Sequence, residues 1–212
     1  MPRQFFIAGT DTGIGKTVVS ALLCAVTSAL YWKPIQTGAS EGTDRSAVMR
    51  YAELPPERTL PETYCFEEPV SPHLAARWAG VRIELESVPR MSSLGAGGFV
   101  VEGAGGVLVP LNDRQFMTDL MRWLGLPVLL ACKSGLGTIN HTLLSLAALR
   151  ASGVEIRGVV MVGPKNQDNR EAIERYGNVP VVGSIPWLQQ IDRSRLIEVF
   201  HSSFDPLLLN GL

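Results

Sequence analysis

Gly9-Thr10-Asp11-Thr12-Gly13-Ile14-Gly15-Lys16-Thr17 is the stretch on which the fold turns. The run before it, Gln4–Ala8, is short, apolar and of strand length, and the segment after it, Lys16–Leu30, carries helical spacing. Strand, glycine-rich turn and helix together form a setting in which backbone N–H groups turn inward around phosphate oxygens. The helix N-terminus adds partial positive charge and Lys16 adds a point charge for the β- and γ-phosphates. The Thr17 hydroxyl suits Mg²⁺. The frame departs from the strict G-x-x-x-x-G-K-[ST] spacing, because Thr10 stands five residues before Gly15 and Gly9 one position earlier.

Moving outward, further strand-length runs fall at Tyr31–Lys33, Gly98–Glu102, Pro127–Cys132, Ile156–Gly163 and Val179–Gly183. Helical spacing recurs at Asp44–Ala52, His73–Trp78, Arg114–Leu124, Thr138–Ala151 and Asp168–Tyr176. The elements alternate, and the strands are continuously apolar and not polar at every second residue. That pattern predicts a mainly parallel central sheet buried on both faces by helices, a three-layer α/β fold of the P-loop NTPase type. With 212 residues and no linker or repeat, one catalytic domain over residues 1–212 is expected, with Glu53–Pro72 as a loop within it.

Composition narrows the function. Hydrophobic residues make up 46% and charged ones 18%, and 19 Lys plus Arg against 20 Asp plus Glu leave a net charge of −1. No global field draws such a chain to nucleic acid or anionic lipid, so neither is an expected partner. The longest uncharged run, Thr17–Trp32, is too short for a membrane helix, and the N-terminus lacks a secretory h-region. A cytoplasmic protein is expected. Cys24, Cys65 and Cys132 are odd in number, lie far apart and are expected in the core. The isolated His73, His141 and His201 show no zinc spacing, and no G-x-S-x-G elbow supports serine hydrolysis.

If the strands are parallel, their carboxyl ends share one edge, where ligands of such sheets bind. The second strand delivers Lys33-Pro34-Ile35-Gln36-Thr37-Gly38 there, with Lys33 held extended before proline as a second cation for a transferred phosphoryl group. Asp44 opens a helix six residues beyond Gly38, either as an N-cap or as part of the site. Another strand ends in Glu102-Gly103-Ala104-Gly105-Gly106. A carboxylate at the tip of a buried strand is costly unless a cation faces it, and Mg²⁺ shared with Thr17 is the expected one. Pro127–Cys132 leads into Lys133-Ser134-Gly135-Leu136-Gly137-Thr138-Ile139-Asn140-His141, a loop suited to a carboxylate or a neighbouring subunit.

These segments, with Ser71-Pro72-His73 and Ile185-Pro186-Trp187, occur in the order found in the dethiobiotin synthetase family, and the resemblance covers nearly the whole chain. The resemblance implies a ligase that closes a ureido ring, turning 7,8-diaminopelargonate, CO₂ and ATP into dethiobiotin, ADP and phosphate in biotin synthesis. An amine captures CO₂ as a carbamate, a carbamate oxygen attacks the γ-phosphorus, and the second amine closes on the mixed anhydride. Carried over by motif position, Lys33 and Lys16 are catalytic, Thr37, Gly137 and Asn140 bind substrate, and Thr17, Asp44 and Glu102 hold Mg²⁺. The nucleotide site takes Gly13, Ile14, Gly15, Lys16, Thr17, Val18, Asp44, Glu102, Gly103, Ala104, Gly105, Pro186, Trp187 and Leu188. A homodimer is implied, with loop Gly135–Asn140 reaching the partner's active site.

Two features depart from the family pattern. Val162 stands where the family often has a base-reading Asn, with Asn166 four residues on, so weak base discrimination is expected. The link from the Lys16–Leu30 helix to Tyr31 is short, so either the helix ends near Thr27 or the strand starts late. Lys33→Ala is expected to lower kcat by about 10²–10³ with the fold intact. Three rivals share the fold. A partitioning-type ATPase switch carries an extra lysine early in the P-loop, where Asp11 and Thr12 stand. A GTPase needs [NT]-K-x-D, and Lys165-Asn166-Gln167-Asp168 has the wrong order. A cobyrinate-type amidoligase needs a glutaminase domain for which 212 residues leave no space.

Overall fold

The structure is a computed structural model that describes residues 4–95, 97–205 and 207. Six strands, β1 (Gln4–Gly9), β2 (Leu30–Trp32), β5 (Phe99–Glu102), β6 (Val128–Lys133), β7 (Ile156–Val162) and β8 (Val181–Ile185), form a parallel sheet in the order β2-β5-β1-β6-β7-β8. Two short strands, β3 (Ile35–Gln36) and β4 (Tyr64–Cys65), pair separately. The helices are α1 (Lys16–Val26), α2 (Asp44–Ala52), α3 (Pro72–Trp78), α4 (Met117–Leu124), α5 (Thr138–Ala151), α6 (Gln167–Gly177) and α7 (Arg193–Ser203).

Alternation along each strand builds the three layers. Phe5 and Ile7 of β1 pack into a cluster with Leu22 and Leu23 of α1, Val48 of α2, and Leu196 and Phe200 of α7. Phe6 and Ala8 point the other way, into a cluster with Leu120 of α4, Leu146 and Leu149 of α5, and Ile173 of α6. Both faces of the sheet are therefore dry, and its strands tolerate continuous apolar sequence.

The same parity places the site. Tyr31 and Val100 lie opposite one another in β2 and β5 and both enter the α1-side cluster. Two residues on, Lys33 and Glu102 emerge on that same side at the carboxyl ends of the two strands. The α1 N-terminus is therefore the element they meet.

Several boundaries differ from the sequence reading. Helix α1 stops at Val26, where the Thr27 hydroxyl donates back to Leu23 O at 2.7 Å, so the early ending and not the late strand accounts for the short link. No basic residue lies in its last turn; Arg58 supplies one from the 3-10 turn Pro56–Arg58, donating to Ala29 O at 2.6 Å and Thr27 O at 3.0 Å. The helix expected from Arg114 begins at Met117, because Asn112 Oδ1 accepts from the Arg114 and Gln115 amides and holds them in a turn. Helix α7 was not expected, although Leu196, Val199 and Phe200 have helical spacing and Asp192 caps it, accepting from Arg195 N at 2.9 Å. The Glu53–Pro72 segment contains strand β4. Cys24 and Cys132 are buried, but Cys65 is exposed, a correction that follows from its place in β4, outside the main sheet. Among the described residues no helix is long and apolar enough to cross a membrane.

Candidate functional site

Gly15 ends the phosphate loop at φ 98°, a left-handed conformation natural to glycine, and a Cβ there would come within 2.9 Å of Val162 Cγ1. That close approach sets the loop against β7, and at the α1 N-terminus lies a cleft of about 540 Å³. Gly13, Gly15, Lys16, Thr17, Lys33, Thr37, Asp44, Glu102, Ala104 and Gly105 line this cleft, so three chain-distant turns deliver their expected residues to one place.

At its floor the charged groups interlock. Lys33, 5% exposed, donates to Asp44 Oδ2 at 2.5 Å and faces Glu102 Oε1 at 3.5 Å. Burial alone would lower the Lys33 pKa, but Glu102 and Asp44 outweigh it and hold the ammonium above its ordinary range. Burial would lift Asp44, yet Lys33 more than compensates and holds its carboxyl below the usual carboxylate range. Asp44 is not the cap of α2. Thr43 takes that role, accepting from Ser46 N, which frees the Asp44 carboxylate for the cleft. Gln36 Oε1 accepts from Asp44 N at 3.1 Å and fixes the start of that helix against the Lys33 strand.

Lys16 lies across the loop, donating to Asp11 O at 2.9 Å and Gly105 O at 2.8 Å. Burial pulls its pKa down to about 8. These carbonyls are weak counterparts for an ammonium, and phosphate oxygens are stronger acceptors for it.

The oxygen set around Thr17 answers whether a metal fits. Thr17 Oγ1 lies 2.6 Å from Asp44 Oδ1 and 2.9 Å from Glu102 Oε1. One hydroxyl proton can serve only one of these two carboxylate oxygens. Three hard oxygens drawn together, two of them from carboxylates that Lys33 also faces, suit a small divalent cation such as Mg²⁺.

Other expected residues lie apart. Ile14 is buried in the α1-side core and Val18 packs against it, with its amide donating to Gly15 O at 3.1 Å. Gly103 donates its amide to Ile7 O at 3.0 Å and lies behind the cleft. Pro186, Trp187 and Leu188 follow β8, beyond the Val162 side of the loop. Trp187 is 67% exposed, and its ring lies 3.6 Å from the place a Cβ would take at Gly163. Asn166 caps α6, accepting from Asn169 N at 3.0 Å. The fourth turn does not join the other three: Gly137 and Asn140 are exposed and absent from the cleft lining.

Sequence reasoning missed Ser20 and Tyr31, whose hydroxyls donate to Glu102 Oε2 at 2.8 and 3.0 Å. The signal was present: Ser20 is three residues after Thr17 on one helix face, and Tyr31 is two before Lys33 on one strand face.

A model of the family described as "AAA domain" matches residues 3–195. The chain is 45% identical over 207 residues to the ATP-dependent dethiobiotin synthetase BioD of Rhodopseudomonas palustris (strain BisB18), covering 97% of each chain. The corresponding protein of Brucella melitensis biotype 2 is 43% identical over 206 residues, 96% of this chain and 95% of that one. The biotin biosynthesis bifunctional protein BioCD of Bordetella avium is 50% identical over 192 residues, 90% of this chain but 41% of the longer protein. Among solved structures, a ParA family ATPase from Chlorobium tepidum aligns with TM-score 0.54 at 10% identity, covering 95% of this chain and 93% of that one. Chloroplast FtsY from Physcomitrella patens aligns with TM-score 0.54 at 15% identity over 94% of this chain and 65% of that one. These two likenesses show a shared P-loop NTPase fold.

Proposed function

Because the chain belongs to the ATP-dependent dethiobiotin synthetase family, we propose that its cleft joins CO₂ to 7,8-diaminopelargonate at the expense of ATP, closing the ureido ring of dethiobiotin. The convergence of Lys16, Thr17, Lys33, Asp44 and Glu102 in one cleft carries this reading. A carbamate and a triphosphate repel each other, so a protein that brings them together must supply cations at their meeting point.

Lys16 leaves the carbonyls of Asp11 and Gly105 for the phosphates, and the glycine-rich loop offers its amides to the same oxygens. Lys33 is oriented by Asp44 and Glu102 toward the transferred group and offsets charge that builds there as the carbamate oxygen attacks the γ-phosphorus. Thr17, Asp44 and Glu102 would hold Mg²⁺, which when bound supplies charge neutralisation for the phosphates. Thr37 contributes a substrate contact from the cleft wall. The second amine then closes on the carbonyl carbon of the mixed anhydride and expels phosphate.

The base lies against Pro186–Leu188, where Val162 offers no hydrogen bond. Gly137 and Asn140 act across a homodimer interface; their exposure at the start of α5, beside the exposed Leu136 and Leu144, supports that role. The chain acts as one catalytic domain, with no nucleic-acid or membrane partner, and the free thiols of Cys24, Cys65 and Cys132 suit the cytoplasm.

Phosphate release by the purified protein with ATP and Mg²⁺ tests the reading. It is expected to require both the diamine and bicarbonate and to match dethiobiotin one to one. Phosphate release that ignores the diamine would contradict it.

A further inference from the structure

Ser20 and Tyr31 are both fully buried behind the cleft, and the chemistry above uses neither. Each carboxylate oxygen of Glu102 is gripped by one residue of α1 and one side chain projecting from the β2 face. Oε2 accepts from Ser20 at 2.8 Å and from Tyr31 at 3.0 Å, while Oε1 faces Thr17 at 2.9 Å and Lys33 at 3.5 Å. The pairs are related by chain geometry, since Thr17 and Ser20 share a helix face and Tyr31 and Lys33 share a strand face.

The final torsion of a glutamate side chain is soft and nearly two-fold, so an unrestrained carboxylate can swing its oxygens. At Glu102 that freedom is removed from behind. The Tyr31 hydroxyl donates and Glu102 Oε2 accepts, since an ionised carboxylate has no proton to give. Phe in place of Tyr31 would fill the same space and leave a lone pair of a 1%-exposed carboxylate without its donor.

We propose that Tyr31 and Ser20 are positioning residues that pin Glu102 Oε2 and thereby present Oε1, with Thr17 and Asp44, as a preformed corner for the divalent metal of the nucleotide complex. The proposal rests on the reading of Glu102 as a metal-holding residue. Outer-shell partners of this type tune metal affinity by about 10–100-fold.

The test compares Kd for the β,γ-methylene analogue of ATP with and without Mn²⁺ in wild type, Tyr31→Phe, Ser20→Ala and Glu102→Gln, with thermal midpoints recorded alongside. The ratio of metal-free to metal-loaded Kd is expected to fall about tenfold in Tyr31→Phe and in Ser20→Ala, with metal-free affinity unchanged. A purely structural role would lower the midpoint and leave the ratio alone. A wild-type ratio in both variants, alongside a lowered ratio in Glu102→Gln, overturns the positioning role and spares the metal reading. A wild-type ratio in all three overturns both. Should Tyr31→Phe fail to fold, Ser20→Ala reads the same quantity.

Discussion

Around Glu102 the cleft is an interlocked set of side chains in which Thr17, Ser20, Tyr31 and Lys33 all point at one carboxylate. On the other flank of the same phosphate loop, the ends of β7 and β8 offer Val162, Pro186, Trp187 and Leu188. Val162 is 4% exposed and packs on Gly15, and the side-chain oxygen of Asn166 caps α6. One flank is fixed by directional, charge-assisted bonds; the other presents apolar surface and an exposed indole. Directional groups held in place without reorganisation favour a transition state, whereas apolar surface binds ground and transition states alike. On the proposed reading, the chemistry belongs to the β2–β5 side and simple retention of the nucleotide to the β7–β8 side.

Breaking the polar flank has the largest expected effect. Lys33→Ala should lower kcat by about 10²–10³ in steady-state assays, the loss seen when one preorganised charge-stabilising donor is removed. Its thermal midpoint should fall too, because Asp44 and Glu102 lose their shared cation. An unchanged kcat would remove Lys33 from the chemistry.

The next effect sharpens the contrast through pH. Lys16 sits at about 8 because it is buried, while its ordinary value is 10.5. Its charged form is the one that binds phosphate. Above about pH 8 nucleotide binding must therefore take up a proton, and Kd should rise about tenfold per unit until pH passes the higher pKa that Lys16 takes against the phosphates. Calorimetry in buffers of different ionisation enthalpy reads that proton directly. A Kd flat from pH 7 to 10 would be incompatible with a buried Lys16 acting on phosphate.

The smallest effect concerns the apolar flank. Sites that reject a substrate by 10⁴–10⁵ do so by leaving buried polar groups unpaired, and Val162 has none in its side chain. Turnover with ATP, CTP and GTP should therefore agree to within about tenfold. A strong ATP preference would show that backbone groups near Pro186–Leu188 read the base.

The sequence made most of the sheet legible, because strands buried on both faces leave continuous apolar runs such as Phe99–Val101 and Val128–Cys132. It also showed the polar flank, since Lys16 begins α1, Glu102 ends β5 and Lys33 directly follows β2 at the carboxyl edge. What it hid depends on where side chains turn after the element ends. Tyr31 and Ser20 passed unremarked within a strand run and a helical segment, although strand and helix parity aim both at Glu102. Lys33 read as a strand-end cation whose loss would spare the fold, but its 5% exposure between two carboxylates makes it part of the packing. Cys65 read as core from the usual burial of free cysteines, but it lies in the short strand β4 outside the main sheet and is exposed. Gly137 and Asn140 are exposed and do not line the cleft, and nothing in their spacing signals that they stand apart from the other turns.

Oxygen tracing tests most directly the claim that a carbamate oxygen meets the γ-phosphorus in this cleft. With ¹⁸O-labelled CO₂ supplied to the diamine, ATP and enzyme, and the reaction stopped before the label exchanges with water, each phosphate released should carry one labelled oxygen from the carbamate. Phosphate that instead takes its new oxygen from water, while dethiobiotin is still formed, would contradict it.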